Sequence, residues 1–102
     1  MDRAAFERVV REVLATLPDW TAAGLRNVAV LVEEKDRDDP DLYGVYDDDG
    51  VGPARVVIYR RPLVEDFPGV AELRREIRIT VLHEIGHHFG LDEDRLDELG
   101  YA

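Results

Sequence analysis

Thr80-Val81-Leu82-His83-Glu84-Ile85-Gly86-His87-His88-Phe89-Gly90 holds all three histidines of the 102-residue chain, confined to the six positions 83–88. On a helix, residues four apart lie one above the other, so His83 and His87 point the same way and can share one metal ion. Glu76 and Thr80 fall on that same side, whereas Ile77, Val81, Leu82, Ile85 and Phe89 fill the opposite arc. Polar groups therefore line a face where a packed helix would carry apolar ones. His88 falls on the apolar arc and reads as a hydrogen-bonded, partly buried histidine rather than a ligand.

One chemistry asks for this spacing. Two neutral imidazoles and one carboxylate hold Zn²⁺ and leave a fourth position open, while a second carboxylate takes the proton from a water as it attacks a carbonyl. Glu84, between the two histidines, is placed to be that base. The plainer alternative is an ordinary amphipathic helix on which two surface histidines flank a glutamate. Three features favour the metal reading: the apolar opposite face, the gathering of every histidine in the chain, and Gly90 where the chain must turn back.

Outward from this segment, no Gly or Pro interrupts the helical pattern between Val70 and Gly86, which predicts a helix over 70–89 stopped at Gly90. A shorter helix over 93–99 follows. At the other end, Asp2 can cap a first helix in which Phe6, Val10, Val13, Leu14 and Leu17 recur at helical spacing, ending at Pro18. Beyond the turn residues Pro18, Asp19 and Gly24, positions 28–32 are apolar and mostly β-branched, as in a strand buried on both faces. Residues 33–41 read as an acidic loop containing Pro40. A short aromatic segment over 42–46 and a turn-rich loop over 47–52 lead to a strand over 55–61, which Pro62 ends. The order favours a single α+β domain over 1–102, with helices packed on a small sheet.

Composition narrows the function. With 13 basic and 23 acidic residues, the net charge is −10, which repels phosphate backbones and argues against nucleic-acid binding. The absence of cysteine excludes disulfide frameworks, thiolate zinc sites and cysteine nucleophiles. No apolar run approaches the ~18 residues of a membrane span. Asp2, Arg3, Glu7 and Arg8 sit where a signal peptide would need its apolar stretch, leaving the cytoplasm as the default location.

The stretch H-E-I-G-H-H-F-G-L-D-E, residues 83–93, resembles the H-E-x-x-H-x-x-G-x-x-D/H signature of zincin metallopeptidases. More specifically, residues 42–46, 58–63, 80–90 and 96–101 make the chain similar to a small bacterial zincin-like family with a minimal zincin fold. The resemblance implies a small β-sheet packed with an N-terminal helix, a long active-site helix and a short C-terminal helix. It also implies a Zn²⁺-dependent peptidase, a hydrolase of peptides or unfolded protein segments, with the metal on His83, His87 and an acidic third ligand and Glu84 as general base. Two departures stand out. Glu93 occupies the position where the signature usually has Asp or His, and no methionine follows Met1, so the Met-turn of larger metzincins is absent and a shallow cleft is expected.

The spacing of the signature selects Glu93 as third ligand, and Gly90, able to adopt φ > 0, can turn the chain back toward the histidines. The alternative is that Asp92 caps the last helix with Glu93 and Asp94 in its first turn, Asp94 then being the next candidate ligand. A rival to the enzyme is a non-catalytic, metal-stabilised binding module. The acidic stretches over 36–41 and 47–49 match no EF-hand register, the distal Glu position falling on Val56, and read as solvated loops. By resemblance, residues 56–61 are the candidate edge strand for an extended substrate, against the alternative of a packed core strand. Tyr59 could reach an oxyanion or simply pack.

Overall fold

A computed structural model describes residues 1–17 and 24–101. The elements run α1 (Arg3–Ala15), β1 (Val28–Glu33), β2 (Gly44–Asp47), β3 (Ala54–Tyr59), α2 (Arg60–Asp66), α3 (Val70–His88) and α4 (Glu93–Leu99). The fold is α+β, with a three-stranded mixed sheet in the order β1-β3-β2. β1 and β3 run parallel, Val30 opposite Val56, whereas β2 and β3 are antiparallel, with Gly44 opposite Ile58.

Asp2 caps α1 as the sequence predicts, its side chain accepting from Ala5 N. The expected end at Pro18 and the turn at Asp19 lie outside the described residues. Phe6, Val9, Val10 and Val13 of α1 meet Leu73, Ile77, Val81, Leu82 and Ile85 of α3 over Val32, Val56 and Ile58 of the sheet, forming one apolar cluster. The apolar arc of α3 is thus buried as its periodicity requires. Phe89 departs from that arc: it is the C-cap residue and 39 % exposed.

Three expectations about the strands change. β1 is an edge strand in which only Val32 is buried, not one buried on both faces. The strand enclosed on both faces is β3, where Val56 and Ile58 alternate with Val57 and Tyr59 and all four are buried. Its final residues, expected in the strand, belong instead to α2. Arg60 and Arg61 open that helix, and Pro62, read as a strand terminator, sits at its third position, where the missing N–H would have no intrahelical partner. The corner is fixed by Glu34, whose carboxylate takes 2.7–3.1 Å hydrogen bonds from Arg60 and whose main-chain oxygen accepts from Arg61 N at 2.9 Å.

The acidic loops are built from their own carboxylates. Asp36 accepts from the amides of Asp38 and Asp39 at 2.9 and 2.8 Å, and Asp49 from those of Val51 and Gly52 at 2.9 and 3.2 Å. Aspartate at these positions closes turns.

Candidate metal centre

His83 and His87 lie in the last turns of α3, one above the other, with Nε2 atoms 3.2 Å apart. The tautomer of each ring follows from the partner of its other nitrogen. His83 Nδ1 is 2.7 Å from the main-chain oxygen of Tyr101, and His87 Nδ1 is 3.2 Å from that of Leu91. A carbonyl oxygen can only accept, so both Nδ1 atoms carry the proton and, in the neutral rings, both Nε2 atoms present a bare lone pair.

Both carbonyls are delivered by the same device. α3 stops at Phe89, Gly90 takes φ +82°, and Gly90 N and Leu91 N donate to His87 O and Gly86 O. α4 stops likewise: Gly100 takes φ +83°, and Gly100 N and Tyr101 N donate to Asp97 O and Leu96 O. Each is a Schellman turn, and the residue just after each left-handed glycine supplies the acceptor.

Asp92 is the N-cap of α4, its carboxylate accepting from Arg95 N at 2.9 Å. That cap sets Glu93 in the first turn with its side chain directed at the histidines. Glu93 Oε1 lies 2.8 Å from His87 Nε2 and 3.4 Å from His83 Nε2. The capping reading and the approach of Glu93, posed as alternatives from sequence, therefore coexist. Leu96 of α4 is fully buried and packs against Gly86, where any added methyl would overlap its Cδ2. The glycine inside the histidine motif is what lets α4 approach α3.

Glu84 is buried, 8 % exposed, with Oε1 3.8 Å from His83 Nε2. Desolvation raises its carboxyl pKa above the ordinary 4.5 and repulsion from Glu93 adds to the rise, while His83 and His87 oppose it only when their rings are protonated. β2 crosses close over it: a Cβ at Gly44 would sit 3.1 Å from Glu84 Cγ and 3.0 Å from Thr80 Cγ2. The cleft between β2 and α3, lined by Gly44, Val45, Tyr46, His83, Glu84, His87 and Glu93, opens to solvent.

Among the described residues, His83, Glu84 and His87 form a group able to hold a metal, with ligand atoms all within 4.8 Å of one another. Glu93 lies closer to the histidines than Glu84 does. Three acceptor atoms, His83 Nε2, His87 Nε2 and Glu93 Oε1, stand 2.8–3.4 Å apart with no protein donor among them. Tetrahedral zinc with bonds of about 2.0–2.2 Å separates neighbouring ligand atoms by about 3.3–3.5 Å, so the donor set and its spacing fit that ion.

His88 is spent elsewhere, as its place on the helix predicted: Nε2 donates to Gly24 O at 2.7 Å and Nδ1 lies 2.9 Å from the Tyr46 hydroxyl. Tyr59 donates its hydroxyl to Asp36 at 3.0 Å and is not an oxyanion donor at this site. Residues 56–61 are not an edge strand either, because β3 is paired on both sides. The edge strand beside the histidines is β2, a role the sequence did not reveal.

The profile of a family described as zincin-like metallopeptidase matches residues 25–101. No curated protein matches the chain.

Proposed function

The chain belongs to the zincin-like metallopeptidase family, and from that membership we propose that it is a Zn²⁺-dependent peptidase with His83, His87 and Glu93 as ligands and Glu84 as general base. The observation that carries this reading is the convergence of His83 Nε2, His87 Nε2 and Glu93 Oε1 to 2.8–3.4 Å, three lone-pair atoms that, with the rings neutral, repel one another unless a cation lies between them. Bound zinc supplies Lewis-acid polarisation of the scissile carbonyl and acidifies water near it.

The chain's own residues supply the rest. The carbonyls of Leu91 and Tyr101 hold the imidazoles in the ligating tautomer and orient the rings. Glu84, buried between β2 and α3 beside His83, is placed to accept the proton of the attacking water and pass it to the leaving amine. β2 offers an unpaired edge along the same cleft, where an extended peptide can add its main chain as a further strand.

Elemental analysis tests the ligand set. Wild-type chain should hold about one zinc, His83→Ala and His87→Ala should lose it, and Glu93→Gln should weaken affinity about tenfold or more. An undiminished ratio removes that residue from the site. Unfolded casein should be cut, with the cut blocked by a chelator and restored by Zn²⁺. Full zinc occupancy with no cleavage would favour the metal-stabilised binding module.

A further inference from the structure

A second cavity of about 270 Å³ adjoins the metal cleft, sharing His83, Glu84 and Gly44 with it and extending along α3 past Thr80 to Glu76. Resting on the peptidase reading above, we propose that this cavity is a subsite for a lysine or arginine side chain of the peptide substrate, with Glu76 as the residue that selects it. Its volume lies just below the about 300–1,000 Å³ of small-molecule sites, which suits one amino-acid side chain. Because His83 and Glu84 line both spaces, a peptide bond held at Glu84 places a neighbouring side chain at the cavity mouth.

The walls suit a long cationic side chain. Tyr43, Ile79 and Tyr101 offer apolar surface to a methylene stem, and tyrosine rings attract cations through their quadrupole. Both tyrosines are fixed before any ligand arrives. Tyr43 donates to Asp66 at 2.5 Å and packs on Phe67 with ring centroids 5.7 Å apart, while Tyr101 packs against the apolar cluster and its main-chain oxygen accepts from His83.

Glu76 supplies the selection. Glu76 is half-buried in the lining, and among the described residues its carboxylate makes no hydrogen bond or ion pair. Its cationic neighbours on α3 face away: Arg74, Arg75 and Arg78 line the groove against α1, where Arg74 pairs with Glu12 at 2.6 Å and Arg78 donates to Thr16 at 3.2 Å. Asp66, Glu76 and Asp41 also gather negative charge around Tyr43, whose hydroxyl is pushed up to about 12 by its hydrogen bond to Asp66, by burial and by these carboxylates. An apolar side chain here would strip water from Glu76 and return nothing, and an acidic one would meet a like charge. A basic one replaces the lost water with a charge-assisted hydrogen bond.

The test uses zinc-loaded chain and alanine-based peptides that differ only in one central Lys, Arg, norleucine or Glu. Binding is read by calorimetry on the Glu84→Gln chain and cleavage by mass spectrometry on the wild type. Lys and Arg peptides should bind about tenfold more tightly than the norleucine peptide, Glu76→Gln should bring that ratio close to one, and Glu76→Lys should shift preference to the Glu peptide. Equal binding of Lys and norleucine peptides, or a preference that survives Glu76→Gln in a folded chain, overturns the subsite. A Glu76-dependent basic preference in binding with no cleavage of any peptide supports the subsite and overturns the peptidase reading instead.

Discussion

His83 Nδ1 donates to the main-chain oxygen of Tyr101 at 2.7 Å, so a ring in the long helix is oriented by a residue eighteen positions further along the chain. The same pairing recurs at shorter range between His87 and Leu91. In both cases the acceptor follows a glycine with positive φ, which ties the tautomer of each histidine to the main chain of a helix-ending turn.

Gly100→Ala tests that tie. Nothing lies within 4 Å of the added Cβ, so the cost is the left-handed backbone alone, about 1 kcal/mol. Zinc affinity, measured by competition with a chromophoric chelator, should fall about tenfold as the Tyr101 carbonyl shifts. Gly50→Ala is the control: it carries a similar φ of +76° with nothing within 4 Å, in a loop outside the metal cleft, and should leave affinity unchanged. Equal affinities in the two variants would show that the carbonyl does not orient His83.

Gly86→Ala sets two effects against each other. Alanine gains about 1 kcal/mol of helix propensity, but its methyl overlaps the fully buried Leu96, and overpacking of this kind costs about 1–3 kcal/mol. The chain should therefore be destabilised, with zinc affinity reduced because α4 carries Glu93. Thermal unfolding of Gly86→Ala, Leu96→Ala and the double variant checks it: the two losses should be less than additive, since removing Leu96 makes the room the methyl needs.

Glu34→Gln probes the corner between β3 and α2. Hydrogen bonds from Arg60 hold the Glu34 carboxyl below its usual 4.5. A carboxyl whose folded pKa is depressed stabilises the fold above its unfolded pKa and loses that contribution as pH falls through the folded value. The melting temperature of Glu34→Gln should therefore lie below wild type at pH 7, and the gap should close in acid. A gap independent of pH would mean that the charge plays no part.

The long helix and its histidines were legible because a 3.6-residue period and a four-residue spacing need no tertiary information. The sheet was less so. A β-branched run such as Val28–Glu33 looks the same whether a strand is central or lies at an edge, and here β3 took the centre. Helix α2 was hidden because Pro62 reads equally as the end of a strand or as part of a helix's first turn, and seven residues give too few periods to decide. Asp92 and Glu93 looked like competitors because sequence spacing does not show that an N-cap and the next residue point in different directions. The carbonyls of Leu91 and Tyr101 carry no side-chain signal; the only trace of them was the pair of glycines at positions 90 and 100.

The central claim is that Glu84 takes a proton during peptide hydrolysis at a zinc site formed without it, and single-turnover cleavage of unfolded casein by zinc-loaded Glu84→Gln, beside wild type, measures this most directly. The amide keeps the shape of the side chain but cannot accept the proton, so the variant should retain about one zinc per chain and lose about 10²–10⁴-fold in rate. Cleavage at the wild-type rate with zinc fully bound would contradict the account.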